Sequence, residues 1–144
     1  MTDPRNEAEP AVREIRIMVF TLRGVRMGVD MVQIAEMISM EEARQRRLTL
    51  YPVHRTLFPE ADIDYPSPAA LTLRSGDPRT AVMVNMPEAI DRPILIEAVH
   101  PLPGLIEAAR PRSPVWAATL AGEGEMTLLL DLYRLLARQR RHRK

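Results

Sequence analysis

Apolar and polar residues alternate from Glu14 onward, in the run EIRIMVFTL. Ile15, Ile17, Val19 and Thr21 stand against Arg16, Met18, Phe20 and Leu22, and the later positions are apolar on both faces. That pattern predicts a strand entering a core. Arg23-Gly24 offers a turn, and VRMGV returns as a second short strand, completing a hairpin. Residues 30–38, DMVQIAEMI, carry two periods at once. Met31, Ile34 and Ile38 fit a helix capped by Asp30, whereas Val32, Ile34, Glu36 and Ile38 fit a strand. A short helical turn running into a strand satisfies both. MEEARQRR then reads as a charged, exposed stretch, LTLYPV as a strand ending near Pro52, His54–Pro59 as a turn of helix and EADIDYPSP as a loop.

The second half repeats this style. Ala70–Leu73 predicts a strand, Ser75-Gly76-Asp77-Pro78 a turn and Thr80–Val84 the returning strand. Pro87–Ile90 reads as a helical turn or loop, Pro93–Ile96 as a strand edge and His100–Gly104 as a rigid extended loop. Val115–Leu120 and Met126–Leu130 form a hairpin about Gly122–Glu125, and Asp131 caps a final helix, DLYRLLARQRR. Many short strands between turn signals predict an all-β barrel or pair of barrels. The two hairpin-led halves suggest a pseudo-repeat.

Composition changes this picture only at the ends. Residues 1–12 are polar, with Pro4 and Pro10 and no period, and read as a flexible lead-in. The net charge of +1 is unevenly spread: Arg138, Arg140, Arg141, Arg143 and Lys144 sit within the last seven residues. Without that basic tail, residues 138–144, the body holds 15 basic against 19 acidic residues, a net charge of −4. A body of that sign is a poor nucleic-acid binder, because affinity for phosphates comes largely from cation contacts. A small β-barrel binding nucleic acid through the tail is nevertheless the alternative function to weigh. The 144 residues, 46% of them hydrophobic, are enough for one domain with a core of its own. There is no apolar run of bilayer-spanning length and no signal-like segment near Met1, so a cytoplasmic location is expected.

Candidate chemistry is sparse. The chain has no cysteine, which removes disulfides, thiolate nucleophiles and Cys-ligated metals. It has no phosphate-binding loop, dinucleotide fingerprint, HExxH or GxSxG. His54 and His100 stand apart without a second ligand nearby and read as loop histidines. Asp62 and Asp64 lack the further oxygens of a cation loop, Asp131 is accounted for as a helix cap, and Trp116 reads as a buried anchor. No catalytic residue, cofactor site or metal site is expected, and the chain reads as a protein that is not an enzyme.

Three stretches resemble the CheW-like family of chemotaxis coupling proteins. IMVFTLRGVRMGVDMVQIAEMI resembles the family's opening hairpin and its V-x-E-I-like segment, whose place Ile34-Ala35-Glu36-Met37 takes. HPLPGLI resembles the loop before the last hairpin, and PVWAATLAGEGEMTLLLDLYRLL resembles the closing strands and helix. Together they span roughly residues 15 to 136. Two departures stand out. Arg47-Leu48 replaces the Arg-Gly of the family's central stretch, with Arg46 an equal candidate for that arginine, and Val84-Asn85 replaces a Val-Asp.

The resemblance implies a single domain over residues 13–137. Its fold would be two SH3-like five-stranded β-barrel subdomains sharing a hydrophobic core, plus a C-terminal helix. It also implies a noncatalytic adaptor. Its partners would be the regulatory domain of a CheA-type histidine kinase and a methyl-accepting chemoreceptor, with the membrane reached only through receptors. The expected partner-binding residues are Glu36, Ile38, Arg46 and Arg47. Glu36 is expected to point away from the core-facing Ile34 and Ile38, and to pair across strands with one of the two arginines.

Overall fold

The computed structural model describes residues 14–58, 61–101, 114–120 and 126–143. The lead-in over 1–12, the loop after Pro101, the turn at Gly122–Glu125 and the burial of the Trp116 side chain lie outside the described residues. The chain is mainly β. Among the described residues ten strands form two curled sheets: β1 (Glu14–Leu22), β2 (Val25–Asp30), β3 (Ile34–Ser39), β4 (Thr49–Pro52), β5 (Pro68–Leu73), β6 (Thr80–Asn85), β7 (Ala89–Leu95), β8 (Val99–Pro101), β9 (Val115–Leu120) and β10 (Met126–Leu130). Three α-helices accompany them among the described residues: α1 (Met40–Gln45), α2 (His54–Leu57) and α3 (Leu132–Arg143).

The ten strands divide six and four, in the orders β7-β1-β2-β10-β9-β8 and β3-β5-β6-β4. One arrangement occurs in both sheets. In β3-β5-β6-β4 the successive pairings are antiparallel, antiparallel and parallel. The run β8-β9-β10-β2 has the same three in the same order. A single 3-10 turn precedes the first strand of each run, Met31–Gln33 before β3 and Ile96–Ala98 before β8. The repeat is not the one read from the sequence, which matched the β1–β2 hairpin with β5–β6; in the topology β5–β6 corresponds to β9–β10. Its second copy borrows β2 from the beginning of the chain, which ties the two halves together.

The sequence pattern accounts for the layers. Met18, Phe20 and Leu22 on one face of β1 join Met27, Val29, Leu71, Val82, Val84 and the helix residues Leu132 and Leu135 in the core shared by both sheets. Ile17 and Val19 on the other face pack with Ala117 and Leu129 inside the curl of the six-stranded sheet. β1 is apolar on both faces because it is a wall of two cores. Gly28 on β2 faces that curl, where a Cβ would lie 2.9 Å from Ile17 Cδ1 and 3.1 Å from Leu129 Cδ2, so those side chains would have to shift to admit one.

Local signals set most boundaries. Arg23 (φ 52°) and Gly24 (φ 77°) are the two positive-φ positions of the β1–β2 turn, as a two-residue hairpin requires. Asp30 accepts a hydrogen bond from the Val32 amide at 3.0 Å, so residues 30–38 are a turn followed by a strand. Three stretches differ from the sequence reading. His100 and Pro101, expected in an extended loop, lie in β8 and pair with Ala118 and Ala117 of β9. Ala89 and Ile90 begin β7 rather than a turn, because Ala89 pairs with Val19 at the sheet edge. Pro93 is accepted in β7 because an edge strand has free backbone positions. MEEARQ is helix α1 rather than a bare charged stretch: the Ser39 hydroxyl accepts from the Glu42 amide at 3.1 Å, and Ala43 is fully buried against the sheet.

Candidate partner-binding site

The site is built on β3 and α1. A regular strand would put Ile34, Glu36 and Ile38 on one face. The register instead shifts between Ile34 and Glu36, so two steps along β3 match one along β5. Ile34 thereby enters the shared core. Ile38 enters the separate cluster of Ala43, Ala70 and Ala81 beneath α1. Glu36 stays on the Ile38 face at its open margin, its side chain 54% exposed. The expectation that Glu36 is exposed holds, but alternation is not the reason, because a bulge separates it from Ile34.

Arg46 completes the arrangement from the C-terminal cap of α1. Both terminal nitrogens donate to Glu36 Oε1 at 3.3 Å, and Nη1 also donates to Glu42 Oε2 at 3.1 Å. The hydrogen bonds it donates to Glu42, and after it Glu36, raise the arginine above its ordinary pKa. The pair therefore runs from helix cap to strand, not across two strands. Glu42 was not anticipated, although its spacing of four from Arg46 on a helix is the pattern that favours such a pair.

The two arginines are not equivalent. Arg46 is held between two carboxylates. Arg47 adopts φ 56° and is exposed, with no ion pair to it among the described residues. Its amide donates to the Arg44 carbonyl at 3.0 Å, and the Leu48 amide to the Ala43 carbonyl at 3.0 Å. This is a Schellman ending, in which glycine is the favoured residue at the position Arg47 takes. Ile38, 7% exposed, is a correction: it lies under the Glu36–Arg46 pair in the α1 cluster and offers no surface. The same segment exposes two other apolar side chains that the sequence reading did not single out, Val32 and Met37. They occupy apolar positions in a periodic run, and only the turn and bulge turn them outward.

The remaining residues of interest have structural partners. His54 is buried, and its Nδ1 lies 2.8 Å from the Tyr65 hydroxyl, which also accepts from the His54 amide at 3.1 Å. Burial lowers the His54 pKa, outweighing the opposite effect of the Ala61 carbonyl, and pushes that of Tyr65 up to about 12. Asp131 caps α3, accepting from the Tyr133 amide at 3.0 Å. The Gln33 amide group braces that cap: it donates to Asp131 at 3.2 Å and accepts from the Leu132 amide at 2.9 Å. His100 lies on β8 and Asp62 and Asp64 on a loop, and the described residues form no group of three metal-ligating side chains. No described helix is long and apolar enough to cross a membrane.

No protein-family profile matches the sequence, and no curated protein matches it. A solved structure does. The scaffolding protein TtCheW from Thermoanaerobacter tengcongensis superposes with a TM-score of 0.62, over 85% of this chain and 92% of that one, at 13% identity. The fold is CheW-like. At that identity the likeness is one of architecture: the two curled sheets persist, while few side chains are shared. The CheW-like fold sets Glu36, Arg46 and Arg47 together on one margin of the four-stranded sheet.

Proposed function

We propose that the chain is a noncatalytic adaptor that couples chemoreceptors to a CheA-type histidine kinase. The observation that carries this reading is the CheW-like fold, which extends over most of the chain and resembles a protein described as a scaffold. Within it, the margin of Glu36, Arg46 and Arg47 is the receptor-facing surface. Glu36 and Arg46 fix each other's geometry, Arg47 supplies an uncommitted cation, and Val32 and Met37 supply apolar contact. Interfaces of this kind combine a few apolar anchors with a charged rim that sets register.

The test is a paired one, on wild type and Glu36→Arg. Glu36 is exposed, so the substitution is expected to leave the thermal midpoint nearly unchanged. It places a third arginine beside Arg46 and Arg47, and affinity for a receptor signalling-tip fragment is expected to fall at least about tenfold. A cooperative fold with undiminished affinity would remove this margin from the proposal. Absence of binding by the wild type would remove the receptor itself.

A further inference from the structure

On the side of the six-stranded sheet away from the shared core, the curl leaves a cavity of about 240 Å3. Interiors of folded proteins hold few voids larger than a water molecule. An apolar cavity of about 150 Å3 is enough to accommodate benzene, so this one has room for a larger guest. Its walls are mostly hydrocarbon, with Ile17, Val19 and Ile94 prominent. Two polar features interrupt them. Thr119 and Thr127 face each other across β9 and β10 and are 6% and 4% exposed, and the described residues form no hydrogen bond to either side chain. Arg92 on edge strand β7 also lines the cavity and is exposed, with no ion pair among the described residues.

The matching guest is apolar over most of its length, with oxygen acceptors for two threonine hydroxyls and a negative charge for Arg92. A carboxylic acid on a hydrocarbon chain supplies all three. We propose that the curl of the six-stranded sheet is a binding site for a small amphipathic carboxylate, with its hydrocarbon part enclosed and its head group at Arg92. The site lies on a different sheet from Glu36 and Arg46, and the inference does not depend on the adaptor reading.

The experiment titrates the full chain with sodium octanoate, and separately with 1-octanol, by calorimetry in the absence of any partner. The wild type is expected to bind one octanoate with a Kd below about 1 mM. Arg92→Gln, at an exposed position, is expected to weaken octanoate about fivefold and leave octanol unchanged. Ala98→Leu, which puts a larger side chain into the cavity wall, is expected to abolish binding of both. No octanoate binding by the wild type overturns the proposal, as does binding undiminished in a cooperatively folded Ala98→Leu protein. If Ala98→Leu does not fold, the Arg92→Gln comparison decides: equal effects on acid and alcohol overturn the carboxylate assignment.

Discussion

Arg47 and Asn85 show how a single side chain departs from a familiar pattern for a physical reason. Arg47 holds φ 56° where glycine would be unstrained, so Arg47→Gly is expected to stabilise the fold by about 0.5–1 kcal/mol in chemical denaturation. If Arg47 meets a partner, the same variant loses affinity while gaining stability. Asn85 donates to the Thr21 carbonyl at 3.1 Å and accepts from the Ser67 amide at 3.0 Å, linking the two sheets. An aspartate could accept but not donate. Asn85→Asp is therefore expected to cost about 1–2 kcal/mol, read as a lower denaturation midpoint with an unchanged slope. His54 sets a pH dependence. Its folded pKa lies below the ordinary value near 6.5, so the unfolded chain binds the proton more readily. Stability from this group is full above about pH 6.5 and falls as the pH drops toward the folded value. The thermal midpoint of wild type is expected to decline across that window more steeply than that of His54→Gln. At this scale the sequence was read unevenly. The family resemblance suggested that Glu36 pairs with one of two arginines across strands; that the partner is Arg46 at a helix cap was not legible. The bulge that separates Ile34 from Glu36 was not legible either, because an inserted residue leaves no mark in a short apolar run.

Elements were more legible than residues. β1, β2, β4, β5, β6, β9 and β10 appear where alternation and turn residues placed them, as does the turn-then-strand over residues 31–39. Helix α1 was hidden because its buried face is the single small residue Ala43, too little for an apolar stripe. The final helix was expected over DLYRLLARQRR, with residues 138–144 a solvated end whose removal would leave stability almost unchanged. The helical backbone continues to Arg143, and Gln139 is instead buried with its amide donating to the Pro52 carbonyl at 2.8 Å. Long-range contacts of this kind, like the Gln33 brace on α3, cannot be read from local pattern. Truncation after Ala137 is accordingly expected to lower stability by about 1–2 kcal/mol, and Gln139→Ala to reproduce most of that loss. A full-length chain that shifts an oligonucleotide in a salt-dependent way, lost on the same truncation, would favour the nucleic-acid alternative instead.

Eight of the ten described strands form two runs of one arrangement, joined because β2 completes the second run while β1 walls both cores. That interlock predicts a single cooperative unfolding transition, since neither sheet can lose β1 or β2 and keep its core. Phe20→Ala, at the centre of the shared core, is expected to cost about 3–5 kcal/mol and to lower the midpoint reported by either sheet equally. The adaptor account stands or falls on simultaneous binding. The most direct measurement is sedimentation of three purified components: this chain, the regulatory domain of a CheA-type kinase and a receptor signalling-tip fragment. The account expects kinase domain and receptor fragment to co-sediment only when this chain is present. Binding of neither component, or mutual exclusion of the two, would contradict it.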